Sequence, residues 1–169
     1  MDAKEYIKAS LERSKGGLTR VTNTLTQEEL GWRPASGCNS IGIILFHIAR
    51  SEDSFIQSRL QDSPQVWESE KWFDKLGMDK DEAGSHYTVE QVNEFTVPDM
   101  EKLVAYQDAV RETTLAYLDT LSADDLDRKV TMPFGDFNVA GILALTVSHA
   151  AGHAGEMSYL RGMLRGMDK

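Results

Sequence analysis

The chain has 169 residues, a formal net charge of -9 and a single cysteine, Cys38. That charge argues against nucleic acid and anionic membrane surfaces as partners, since both need a basic footprint. One cysteine excludes an intramolecular disulfide and any cysteine-rich zinc cluster. The length suits one domain over residues 1–169, and the 41% hydrophobic and 27% charged content is ordinary for a globular protein. No apolar run is long enough to cross a bilayer. The opening MDAKEYIKAS lacks the basic-then-apolar pattern of a signal peptide, so the expected location is cytoplasmic.

Four long helical patterns follow in chain order. The first covers about Asp2 to Leu25, with Tyr6, Ile7, Leu11, Leu18, Val21 and Leu25 near one face; the pair Gly16-Gly17 weakens it. The second starts at Asn39 or Ser40, either of which can cap it, and carries Ile41, Ile44, Leu45, Ile48, Phe55 and Leu60 as an apolar stripe. Pro64 ends it. A long connection over residues 62–97 contains Trp67, Trp72, Phe73 and Tyr87, and a short helix is expected near ESEKWFDKLG. The third long helix covers about Asp99 to Leu121, the fourth about Val139 to Leu164. LTQEEL after the first helix and LSADDL after the third both fit a capping signature, and each leads through a proline- and glycine-containing loop into a histidine-bearing helix. Strand signals are poor. The expected fold is all-α, a four-helix up-down bundle with one long crossover between the second and third helices.

The fourth helix holds SHAAGHAGEM, residues 148–157. Four residues turn a helix by about 400° and advance it by about 6 Å, so His149 and His153 share a face with Cβ atoms roughly 5–6 Å apart. Two imidazoles so placed can converge on one ion. Taking Ile142 as a seam position puts His149, Glu156 and Met163 on its line, and Thr146, His153 and Leu160 beside it, so the pair is expected to face the bundle interior. His47 lies inside the apolar second helix. If the two histidine-bearing helices pack together, three imidazoles meet and leave an open coordination position. The spaced pair also occurs by chance on exposed helices; the interior placement turns the reading toward metal, because buried imidazoles need partners. His86 reads as a surface residue. Cys38, on the order of 13 Å along the helix from His47, does not read as a ligand. The segment SHAAGH lacks the glutamate of H-E-x-x-H peptidases, and Glu-x-x-His pairs of di-iron bundles are absent.

These residues carry a family resemblance. GWRPASGCNSIGIILFHIARSED resembles the W-x-P … S-I … H-x-x-x-x-E segment of the DinB-like superfamily, and LTVSHAAGHAGEMSYLRGML resembles its closing H-x-x-x-H-x-G-Q helix. The resemblance implies a metal-binding four-helix bundle whose histidine triad falls on His47, His149 and His153. It implies a divalent ion, zinc or nickel, and in some relatives a low-molecular-weight thiol. Glu156 stands where many relatives have glutamine. It is the catalytic candidate: a carboxylate there could act as a base, join the metal, orient a ligand histidine or remain a partly solvated charge.

Three functions are compatible with this pattern. The first is a metal-dependent enzyme of thiol S-transferase type acting on a small molecule, with Arg161 a candidate for binding an anionic group. The second is a metal-dependent hydrolase using metal-bound water. The third is a non-catalytic metal-binding or interaction bundle. A homodimer through an exposed helix face is compatible with all three. Gly155 is a candidate pocket border, and Gly152 reads as a packing residue.

Overall fold

A computed structural model describes residues 2–166. Helix α1 spans Ala3–Thr22, and Asp2 and Glu5 form a reciprocal capping box at its start. A short α2, Gln27–Gly31, is capped the same way by Thr26 and Glu29. Helix α3, Ile41–Asp53, is capped by the Ser40 side chain and runs on as a π-helical segment, Ser54–Leu60. Three short helices occupy the crossover: α4 Val66–Ser69, α5 Trp72–Leu76 and α6 Val89–Glu94. Helix α7 spans Met100–Thr120, and a 3-10 turn covers Asp124–Asp127. Strands β1 Lys129–Met132 and β2 Gly135–Asn138 lead into α8, Val139–Arg165, capped by Asn138.

Side-chain ties set the directions of the long helices. Lys4 Nζ donates to the Leu121 carbonyl and Lys15 pairs with Asp108, so α1 and α7 run antiparallel. Arg50 reaches Tyr106 and Gln57 reaches Thr113, so α3 and α7 run parallel. His47 packs on His153 while Phe55 packs on His149, which makes α3 and α8 antiparallel. Gly17 faces Ala154 and Thr24 meets Arg165, so α1 and α8 run parallel. A parallel pair cannot be joined by a tight turn, and α3 and α7 therefore need the long crossover.

The crossover differs from the expectation of one short helix. ESEKWFDKLG contributes to two helices, divided at Lys71, which sits in the left-handed region at φ 54°. Trp67 and Trp72 are buried. Their rings lie 5.5 and 5.4 Å from the Tyr106 ring, and Phe46 is 5.6 Å from Trp67. Burying one such ring stabilises by roughly 2–3 kcal/mol, about the entropy cost of fixing two residues. Aromatic packing alone does not order so long a connection, and polar ties complete it. The Asp53 carboxylate accepts from the Val66 and Trp67 amides at 2.8 and 2.9 Å and from the Tyr106 hydroxyl at 2.8 Å. Arg50 donates to the Glu82 carbonyl and the Gln65 amide oxygen, and Trp67 Nε1 donates to the Lys80 carbonyl. Burial pushes the Asp53 carboxyl up, and these donors pull it back.

A hairpin stands where the sequence predicts only a loop. Val130 pairs with Phe137 and Met132 with Gly135. Val130 and Met132 point into the core while Lys129 and Thr131 face solvent. This four-residue alternation is too short to stand out from a loop containing proline and glycine. No helix among the described residues is long and apolar enough to cross a membrane.

One buried ion pair joins three long helices. Arg111 on α7 forks onto both oxygens of Glu52 on α3, at 2.7 Å each, and also donates to the Leu11 carbonyl of α1. Both side chains are 3% exposed. Removing one partner strands the other charge, which costs about 3–5 kcal/mol, whereas replacing both with apolar side chains of similar volume is often neutral. Arg111→Ala is therefore expected to lose about 3–5 kcal/mol in urea denaturation, and Glu52→Leu with Arg111→Met to recover most of it. Equal losses in the single and double variants would contradict this account.

Candidate metal centre

Two turns inside α3, His47 projects toward α8, where His149 and His153 project back one turn apart. The His149 Nε2 atom lies 3.1 Å from His47 Nε2 and 3.2 Å from His153 Nε2. All three rings are half-buried, and one nitrogen from each falls within 4.8 Å of the others. The three sequence-predicted ligands are thus brought together. Among the described residues they form the one cluster of cation-ligand type found; Cys38 is not part of it.

The tautomers follow from the outer nitrogens. His47 Nδ1–H donates to the Gly84 carbonyl at 2.8 Å, and His153 Nδ1–H donates to Glu156 Oε2 at 2.7 Å. With Nδ1 protonated in both rings, each Nε2 presents a lone pair to the shared point. A tetrahedral ion with bonds of about 2.0–2.1 Å has ligand–ligand edges of about 3.3 Å, close to the two observed nitrogen separations. Borderline nitrogen donors of this kind suit several first-row ions. The residues present fit a divalent cation.

Burial, more than the neighbouring imidazoles, holds His149 down at about 4. Burial likewise lowers His47, with the Gly84 carbonyl pulling the other way. Both rings are therefore neutral near pH 7, the state a cation requires.

The crossover supplies the wall of the site. Gly84 has φ +72°, and a Cβ there would lie 2.7 Å from Arg50 Cγ and 2.8 Å from Arg50 Cβ. Only glycine lets this backbone approach closely enough to receive His47. The Glu82 carboxylate holds the loop by accepting from the Gly84 amide and the Tyr87 hydroxyl. Two cavities flank the triad and share His47, Ser85 and His86. One, of about 340 Å³, extends past His153 to Asn39 and Tyr87. The other, of about 360 Å³, extends past His149 to Ser51, Phe55, Gln65 and Phe134.

Several placements differ from the sequence reading. On α8 the expected seam residues Ile142 and Thr146 are buried, but beyond them the buried line passes through Ala150 and Met157, one residue on from His149 and Glu156. The histidines consequently sit on its flank, and Glu156 and Met163 are exposed at 59% and 51%. Glu156 holds the back of the His153 ring, on the side away from the converging nitrogens. Arg161 and Gly155 line a different cleft. His86 is exposed, as expected of a surface residue, yet it rims both cavities. The wall residues Gly84, Ser85 and Tyr87 were missed; the sequence signal was the G-S turn beside a histidine in a long connection.

The sequence pattern of the DinB superfamily matches residues 10–157. Among solved structures, a conserved protein from Enterococcus faecalis is similar at a TM-score of 0.85 and 24% identity, covering 99% of each chain. YfiT from Bacillus subtilis, described as a probable metal-dependent hydrolase with an unusual four-helix bundle topology, is similar at 0.65 and 18% identity, covering 95% of this chain and 87% of its own. No curated protein matches the chain.

Two measurements probe the centre. Gly84→Ala is expected to keep the fold and to weaken zinc binding about 10–100-fold by calorimetry, the usual cost of losing a partner behind a ligand histidine; unchanged affinity would contradict the role given to Gly84. In the metal-free protein, His149 titrates near 4 when folded and near about 6.5 when unfolded. The unfolded chain takes up the proton first as pH falls. Its contribution is intact above about 6.5 and is lost progressively toward 4. Urea denaturation at pH 7.5 and 5 should show a larger loss in the natural protein than in His149→Gln; identical losses would contradict it.

Proposed function

Because the chain belongs to the DinB superfamily, we propose that it is a metal-dependent enzyme acting on a small molecule, with His47, His149 and His153 holding a divalent cation, zinc or nickel. The observation that carries this reading is the convergence of three Nε2 atoms between two cavities rather than in a sealed core. A cation held there supplies a Lewis acid and favours the deprotonated form of a thiol or water that reaches it.

The remaining roles belong to the chain. Gly84 and Glu156 keep the His47 and His153 rings in the Nδ1–H tautomer and orient them, so both are positioning residues. His86 and Tyr87 border the entrance, the Tyr87 hydroxyl being held by Glu82. Cavities of this size fall within the usual range for small-molecule sites. Two of them meeting at one centre favour a reaction of two organic partners: transfer of the sulfur of a low-molecular-weight thiol to an electrophilic carbon. The S–C bond forms, the bond to the leaving group breaks, and the thiol proton passes to solvent. Hydrolysis is the second reading, favoured by the description of YfiT; water then replaces the thiol.

The test is conjugation of a bimane electrophile by protein loaded with zinc or nickel, with and without low-molecular-weight thiols. Metal- and thiol-dependent turnover that falls at least 100-fold in His149→Ala is expected. Turnover of ester substrates without thiol selects hydrolysis. Rates equal to the uncatalysed background under every metal and nucleophile would overturn both.

A further inference from the structure

Helix α8 has a second lined face. Opposite the histidines, it borders a cleft of about 640 Å³ against α1. Arg13, Arg20 and Arg161 line this cleft, and no carboxylate does, although the chain has 27 acidic residues against 18 basic ones. None of the three arginines has an ion pair or side-chain hydrogen bond among the described residues. Arg165, one turn beyond Arg161, is the contrast: it is paired with Glu29 and donates to Thr24. The Nε of Arg161 is also buried with no partner. Leaving a buried donor unpaired costs about 1–3 kcal/mol, and more where the group is charged. That atom is out of reach of solvent, so an anion entering the cleft would meet Arg161 through its terminal guanidinium nitrogens.

The geometry suits a small molecule. Arg13 and Arg20 are two turns apart on one side of α1, about 10 Å along its axis. Gly17 lies between them, and a Cβ there would be 3.7 Å from Ala154 Cβ. The helices run parallel, so Arg161 lies about one turn beyond Arg20. Ala151 and Ala154 form a smooth floor, and open space lies beside Gly155. Ser158 adds a hydroxyl at the Arg161 end. In a chain of strongly negative charge, long-range attraction does not bring anions here; short-range guanidinium contacts would have to hold them.

We propose that this cleft is a second binding site, separate from the histidine centre, for a small organic anion whose carboxylate or phosphate is held by Arg20 and Arg161 and whose body lies along Gly17, Ala151 and Ala154. The experiment follows the arginine Nε–H resonances by NMR while the protein is titrated with inorganic pyrophosphate and, separately, with glutarate. Saturable shifts at Arg20 and Arg161 with at least one probe are expected, and the tighter probe identifies the anionic group. Arg161→Gln should raise Kd at least tenfold, and His149→Ala should leave it unchanged. If Arg161→Gln does not fold, Arg20→Gln gives the same reading. Unsaturable drift under both probes shared with Arg59, which lies on the π-helical segment outside the cleft, an unchanged Kd in the arginine variant, or a Kd that follows His149→Ala would overturn the proposal. So would shifts that depend on protein concentration alone, which would mark the cleft as a contact between two copies of the chain.

Discussion

An imidazole aims one chosen nitrogen into a cleft most firmly when its other nitrogen is engaged. Here the Gly84 carbonyl takes the outer proton of His47 and the Glu156 carboxylate takes that of His153. Without those acceptors each ring could turn over or shift its proton to Nε2, and the lone pairs would no longer meet. The rest of the architecture can be understood as what keeps these two acceptors in place. Glu156 comes with α8, three residues beyond the histidine it holds. Gly84 comes from far along the chain and needs a scaffold.

That scaffold is the crossover. Asp53, at the end of α3, receives the first amides of α4, while Arg50 on the same helix holds the Glu82 carbonyl. The helix that carries His47 therefore also anchors the loop that orients it. The cost is a buried carboxylate and a buried guanidinium, each offset by several hydrogen bonds. The antiparallel packing of α3 on α8 then brings two separate stretches of sequence to one point, while α7 lies beside α3 and α1 beside α8. Placing the triad on the flank of α8, rather than on its fully buried line, leaves the centre reachable from two sides.

Much of this was legible from residue types and spacing. His149 and His153 four apart, and a lone His47 within an apolar helix, were enough to expect convergence, because helical geometry fixes where such side chains project. The long helices were legible from their apolar periodicity and their caps. The seam of α8 was legible only at its start, at Ile142 and Thr146: alanine and glycine around the histidines leave the apolar pattern weak, and a one-residue shift separates a buried Glu156 from an exposed one. The split at Lys71 depends on a left-handed backbone that its residue type does not announce. The hairpin is too short for its alternation to register. The role of Gly84 depends on contacts with Arg50 and His47, both distant in sequence, and a lone glycine in a loop does not reveal them.

The central claim is that His47, His149 and His153 hold a single cation through Nε2. X-ray absorption at the metal edge of zinc-loaded protein tests it most directly. Three imidazole nitrogens at about 2.0–2.1 Å, with one further light-atom ligand and loss of one imidazole in each single histidine variant, is the predicted result. A spectrum with fewer than three imidazoles, or one unchanged when His47 is replaced, would contradict it.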